Sequence, residues 1–167
     1  YGVIGRGLSG IITAFVSGNL FASSLIGESL SRSNLGIQKR ISSTVTPLSI
    51  VISRGGTSFV SILTVITLLK TLGAEISTSA LILITITIAV VSFTSSLFSG
   101  IEVAAISVMA LKILNINVYG AEAAIISLIP FVNGCALLID MVISLMANAI
   151  SGARTKTDAQ IPLKDTI

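Results

Sequence analysis

Three charged side chains stand alone inside long apolar stretches of the chain: Arg54, Glu102 and Asp140. Each is expensive at membrane depth, by about 2.5–3.5 kcal/mol on insertion scales, so residues of this kind face a cavity or one another and mark function by default. A buried ion pair, Arg54 with Asp140 or with Glu102, is the packing-only reading of the same residues. The chain has no histidine and a single cysteine, Cys135. The commonest general base and transition-metal ligand is therefore missing, and no internal disulfide can form. Cys135 reads as a small buried hydrophobe. Around Arg54 the string Ser53-Arg54-Gly55-Gly56-Thr57 puts two glycines inside an apolar segment. Each weakens a helix by roughly 1 kcal/mol relative to Ala, and the carbonyls freed there suit cations or polar substrate groups. The string is not a phosphate loop, because it lacks the preceding strand and the G-K-[ST] end.

The elements that carry these residues are set by an apolar composition. Of 167 residues, 53% are hydrophobic and 10% charged, and mean hydropathy is +1.02. Soluble domains run near ~25% charged, so the solvent for much of this chain is lipid, or protein within lipid. The net charge of +3 is clustered. Arg32, Lys39 and Arg40 form one group, and Arg154, Lys156 and Lys164 another. Both flank apolar stretches instead of forming a basic face, and aromatic residues are only 5% of the chain, too few for base stacking; no nucleic-acid partner is expected. The first residue is Tyr1 and no signal peptide precedes it, so the chain reads as a piece of a longer protein.

Four apolar units follow one another. The first, Leu8 to Ile26, is interrupted by Gly10, Ser17, Gly18, Asn19, Ser23 and Ser24. The second, Thr44 to Leu69, has 26 residues, about 39 Å as a helix and enough for a ~30 Å hydrocarbon core. The third, Ile76 to Leu111, has 36 residues, too long for one crossing of ~17–25. Its serine-rich middle, Ser92 to Gly100, separates two arms that are each too short to cross, which predicts a helical hairpin entering and leaving on one side. The fourth, Ala123 to Gly152, is long enough to span. Leu81 to Ile88 is rich in β-branched residues and would be a strand in water, but lipid demands that backbone polar groups be paired within the segment, and helix does this.

The fold expected is an all-α membrane protein in which two re-entrant helical hairpins alternate with two transmembrane helices, an inverted-repeat transport domain. The boundaries are 1–34 for the first hairpin, 41–72 for a transmembrane helix with a broken middle, 76–114 for the second hairpin, 121–152 for the last transmembrane helix and 153–167 for a tail. Paired interrupted segments in two halves point to the binding site of a transporter; two kinked helices packing through small residues are the bland alternative. Arg32, Lys39, Arg40 and the basic tail lie on one side, Lys70 and Lys112 on the other. The more basic side is expected to be cytoplasmic, with the C-terminus there and the two hairpin tips meeting near the midplane of a plasma (inner) membrane.

The order of hairpin, span, hairpin and span resembles the C-terminal part of the sodium:dicarboxylate symporter (glutamate-transporter) family. Thr46-Pro47-Leu48-Ser49-Ile50-Val51-Ile52-Ser53-Arg54-Gly55-Gly56-Thr57 is similar to the family's L-P-L-G-A-T-x-N-M-D-G-T, and Leu35-Gly36-Ile37 matches the loop before it. Leu138-Ile139-Asp140-Met141 resembles I-L-D-M of the last helix, and Ser92 to Gly100 sits where the second hairpin tip belongs. The resemblance implies a secondary active symporter of amino acids or dicarboxylates that moves like an elevator within a homotrimer, against membrane lipid. It implies no cofactor beyond Na+ or H+ as coupling ion, and no enzymatic activity. By position, Asp140 holds the substrate's ammonium group, Thr57 and Ser144 line the pocket, Ser95, Ser96 and Gly100 cap it from outside, and Ser23 and Ser24 approach from inside. Ser49, Ser53, Ser92 and Asn148 fall around the cations.

The chain also departs from the family. Asn-Met-Asp is replaced by Ser53, Arg54 and Gly55, and the Arg that binds an acidic side chain is Ile143. The later Asn and Asp fall near Ala147 or Asn148 and near Ser151. Two sodium-binding carboxylates are thus missing, and Arg54 brings a fixed positive charge in place of a cation. A neutral amino acid is favoured over an acidic one on this basis. A channel-like or non-transporting relative is the alternative. An intramembrane protease lacks its constellation, since there is no histidine and Glu102 sits beside a hairpin tip instead of on a span facing Asp140.

Overall fold

A computed structural model describes residues 2–52, 54–73, 76–93, 100–116 and 120–158. Among them the chain is all-helical, with eight helices: α1 (Gly2–Arg6), α2 (Leu8–Ser17), α3 (Leu20–Ser33), α4 (Lys39–Ile52), α5 (Gly55–Thr71), α6 (Thr78–Ser92), α7 (Glu102–Ile113) and α8 (Ala121–Asp158). Two helical stretches are long and apolar enough to cross a membrane, Lys39–Thr71 and Ala123–Thr155. The β-branched run from Leu81 to Ile88 is helical within α6, as lipid solvation predicts.

Helix α8 is the axis of the structure. Helices α1 to α5 and α7 all pack on it, α2 packs on α3, and α6 on α7. Two apolar cores form around it. One joins Ile11, Ala14, Leu20 and Ile50 to Leu137, Met141 and Leu145 of α8; the other joins Val65, Leu69, Ile84, Ile88 and Ile106 to Ile125. The outer surface is also apolar: Val16, Leu25, Val90, Phe93 and Phe131 are each more than 60% exposed. Polar side chains are instead buried. Asn133, Asp140, Ser144 and Asn148 are all inside, and their spacing of seven, four and four along α8 puts them on one face. Such an inversion is stable only when the outer solvent is apolar or further protein covers the surface.

Local chemistry moves two expected boundaries. The serine-rich break of the first unit was expected to extend from Ser17 to Ser24, but the chain turns only at Gly18 and Asn19. Gly18 takes φ +60°, which glycine adopts without a Cβ clash. Asn19 Oδ1 then accepts from Phe21 N (2.9 Å) and Ala22 N (3.2 Å), capping α3 and starting it before the serines. The last helix was expected to end at Gly152, with a tail from 153, but α8 continues to Asp158. Ile37 packs against Gly152, where an added Cβ would lie 3.1 Å from Ile37 Cγ1. This glycine makes room for a neighbour and is not a helix stop.

Candidate functional site

The start of α5 is the centre of the buried polar region. Helix α4 ends at Ile52 and α5 starts at Gly55, so the second unit is two half-helices. The N-terminus of α5 abuts α8 closely, because Gly56 has no side chain: a Cβ there would lie 2.4 Å from Ala136 O and 2.8 Å from Asp140 N. The approach delivers the free N–H groups of α5 to Asp140. Gly56 N donates to Asp140 Oδ1 (2.7 Å) and Thr57 N donates to Oδ2 (3.1 Å). The Thr57 hydroxyl donates to Oδ2 as well. Asp140 is thus a helix cap supplied from across the core, with its negative charge at the positive end of the α5 dipole.

Arg54 occupies the residue just before α5 and is 3% exposed. Among the described residues its Nε, Nη1 and Nη2 all lack an acceptor, and the one ion pair is Arg32 with Glu28, elsewhere in the molecule. Glu102 opens α7 and is fully buried. Its Oε2 accepts from Gly100 N (3.0 Å), while Oε1 has no partner.

Further contacts draw the α2/α3 and α6/α7 pairs to this place. The Asn133 amide donates to Gly18 O (3.2 Å) and its Oδ1 accepts from Val103 N (3.3 Å). One side chain of α8 therefore ties the α2/α3 turn to the start of α7. Gly100 lies alongside, where an added Cβ would be 3.9 Å from Gly18 O. Ser58 in the first turn of α5 lies 2.6 Å from Ser92 at the end of α6, hydroxyl to hydroxyl, and Ser92 donates to Ala89 O (2.7 Å).

The residues anticipated from sequence divide into three described groups and one outside the described residues. Arg54, Thr57, Asp140 and Ser92 lie at or beside the start of α5, and Gly100 lies beside Gly18 and Glu102. Ser49, Ser144 and Asn148 form a separate buried network between α4 and α8: Ser49 and Ser144 hydroxyls are 2.7 Å apart, and Asn148 Nδ2 donates to Thr46 Oγ1 (3.0 Å) and Ser144 O (2.9 Å). These groups satisfy one another. Ser23 and Ser24 are buried within α3, their hydroxyls bonded to Leu20 O (3.0 Å) and Phe21 O (2.6 Å) of the same helix. Ser53, Ser95 and Ser96 lie outside the described residues. Asn133 was not singled out in advance, and Gly56 only as a residue that weakens the helix. The signal for Asn133 was present, an amide seven residues before Asp140 in an apolar segment.

Asn133→Ala leaves the buried Val103 N–H and the partly buried Gly18 O unpaired, at a cost of about 1–3 kcal/mol. Amide exchange at Val103, followed by mass spectrometry, is expected to accelerate roughly 10–100-fold. Unchanged protection would mean that the tip contacts do not depend on this amide. Among the described residues no three His, Cys, Asp or Glu side chains converge, so a cation in this region would rely on hydroxyl and carbonyl oxygens. No family model matches the chain, and no curated protein and no solved structure matches it.

Proposed function

We propose that this chain is the substrate-carrying domain of a secondary active membrane transporter for amino acids or dicarboxylates, with a neutral amino acid favoured. The observation that carries the reading is the meeting of charge and broken backbone. Arg54, just before the half-helix α5, is buried with its guanidinium nitrogens lacking an acceptor among the described residues, and Glu102 and Asp140 are buried as well, inside a molecule whose outer face is apolar. Discontinuous helices with ionisable residues at their ends are how transporters build a polar site at membrane depth.

On this reading α2/α3 and α6/α7 are re-entrant hairpins. None of the four helices is long enough to cross: α6, the longest, has 15 residues, about 22 Å against a ~30 Å core. Lys39–Thr71 and Ala123–Thr155 are the spans, and the basic loop and tail are cytoplasmic. The exposed apolar face packs on further helices of the complete protein and on lipid, in a homotrimer of elevator type. Arg54 supplies positive charge where the related symporters hold a cation, so coupling to Na+ is weakened, and H+ coupling or facilitated exchange takes its place.

The test is uptake by the full-length protein in proteoliposomes, across neutral and acidic amino acids and dicarboxylates, with and without a Na+ gradient. Saturable uptake of a neutral amino acid, little changed when the Na+ gradient is removed, is expected. Absence of uptake for every substrate by folded protein would overturn the transport reading in favour of a non-transporting relative, and non-saturating current would favour a channel.

A further inference from the structure

Basic side chains from four helices meet at one end of this molecule. In the sequence they form separate groups, with Arg32, Lys39 and Arg40 far from Arg154. The structure joins the groups and adds Arg6. Asn34, the residue after α3, exchanges hydrogen bonds with Arg6 at the end of α1: Arg6 Nη1 donates to Asn34 O (3.3 Å) and Asn34 Nδ2 donates to Arg6 O (2.8 Å). A little further on, Ile37 packs against Gly152 of α8, just before Arg154. Arg32 Nε, in the last turn of α3, donates to Ser42 Oγ (3.0 Å), near the start of α4 that Lys39 and Arg40 open. The ends of α1, α3 and α8 and the start of α4 are therefore side by side.

The charge gathered there is not neutralised within the described molecule. Among the described residues the one ion pair is Arg32 with Glu28, so Lys39, Arg40 and Arg154 have no carboxylate partner. All three are exposed, as is Arg6. Helix stability does not account for the placing of Lys39 and Arg40. They occupy the first turn of α4, which holds no acidic residue, and the N-terminus is the end of a helix where positive charge is unfavourable. The surface bordering the cations is apolar. Ile4 precedes Arg6 on α1 and is 40% exposed; Ile150 is 58% exposed, and it lies one turn before Arg154 on the same face of α8. A rim of exposed cations along an apolar wall fits the boundary between hydrocarbon and negatively charged headgroups. A soluble acidic partner would meet the charges but leave the bordering apolar side chains in water.

We propose that this end of the molecule binds the headgroups of anionic phospholipids, with Arg6, Lys39, Arg40 and Arg154 meeting the phosphates. Long Lys and Arg side chains lay their stems along the apolar wall and carry their charges to headgroup level. Each such residue near an anionic surface is worth roughly fivefold in local lipid preference. The loop between α3 and α4 and the end of α8, which meet at Ile37 and Gly152, are thereby anchored to one leaflet. The inference needs the membrane setting and holds whatever the chain carries.

The experiment places the full-length protein in phosphatidylcholine nanodiscs with a donor fluorophore on Ser43→Cys, in a background without other cysteines. Ser43 is exposed and lies one turn from Lys39. Energy transfer is titrated with phosphatidylglycerol or phosphatidylcholine, each carrying the same acceptor on an acyl chain. Half-maximal transfer is expected at a roughly 5–30-fold lower mole fraction of the anionic lipid. Replacing Lys39, Arg40 and Arg154 together by Gln brings the two lipids to parity. Lys39→Arg with Arg40→Lys keeps the preference, because the charges remain. Lys70→Gln, which removes a charge at the end of α5, keeps it as well. Each comparison is a ratio within one variant, so partial unfolding acts on both lipids alike. Equal transfer to the two lipids in the unaltered protein overturns the proposal, as does a preference that survives the triple substitution or falls as far in Lys70→Gln. Loss of the preference on adding inorganic phosphate at constant ionic strength overturns the lipid assignment in favour of a free anion. A preference without uptake sustains this surface and removes the transport reading, and uptake without a preference does the opposite.

Discussion

Replacing Asp140 by Asn is expected to destabilise the folded protein by about 1.5–3 kcal/mol, the range for hydrogen bonds made to a charged group. The carboxylate oxygens accept from Gly56 N, Thr57 N and the Thr57 hydroxyl. An asparagine offers one acceptor oxygen and turns an NH2 group toward a donor. The start of α5 then loses both its hydrogen bonds and the charge that meets its dipole. Thermal unfolding of the full-length protein reads the effect directly. Thr57→Val, which removes only the hydroxyl donor, is expected to cost about 1 kcal/mol. The sequence resemblance assigns Asp140 to the substrate's ammonium group. A direct ligand predicts a different pattern, namely lost affinity with an unchanged melting temperature. Observing that pattern would return Asp140 to the substrate and remove it from the cap.

Gly56→Ala is expected to cost about 1–3 kcal/mol, and Gly27→Ala less, although the raw distances suggest the opposite order. A Cβ at Gly27 would lie 2.1 Å from Met141 Cε, the end of a flexible thioether side chain that can swing aside. A Cβ at Gly56 would lie 2.4 Å from Ala136 O and 2.8 Å from Asp140 N, both backbone atoms of α8, with Ile139 Cβ at 2.7 Å. Nothing there can rotate away, so α5 must retreat from α8 and lengthen its bonds to Asp140. Side-by-side melting curves of the two variants decide the point. A Gly56→Ala protein as stable as Gly27→Ala would show that the interface between α5 and α8 is looser than the structure describes.

Much of the architecture is legible in the sequence because it follows from periodicity and solvent. An apolar segment in lipid must pair its own backbone, so the β-branched residues of Leu81 to Ile88 form helix against their usual preference. Glycines and serines mark breaks: one lies at the end of α4, before Gly55 and Gly56, and the first-unit break falls within its expected stretch but only at Gly18 and Asn19. Segment length alone separates the two helices able to span from the shorter ones. The isolated charges Arg54, Glu102 and Asp140 are visible as anomalies in an apolar chain, and all three are buried.

What those charges do could be decided only in three dimensions. Asp140 and Gly56 are 84 residues apart along the chain, and no pattern within either segment says that one caps the other. Asn133 bridges Gly18 and Val103 across 115 and 30 residues, while Ser49, Ser144 and Asn148 turn out to satisfy one another in a network of their own. Hydrogen bonding is short-ranged and directional, so whether a buried group is paired or left open depends on packing that composition and spacing do not encode. By itself the sequence determined that this chain folds as helices with an apolar exterior and a few costly charges inside. Only the tertiary structure decided that Asp140 is consumed by a helix end while the Arg54 guanidinium has no acceptor among the described residues.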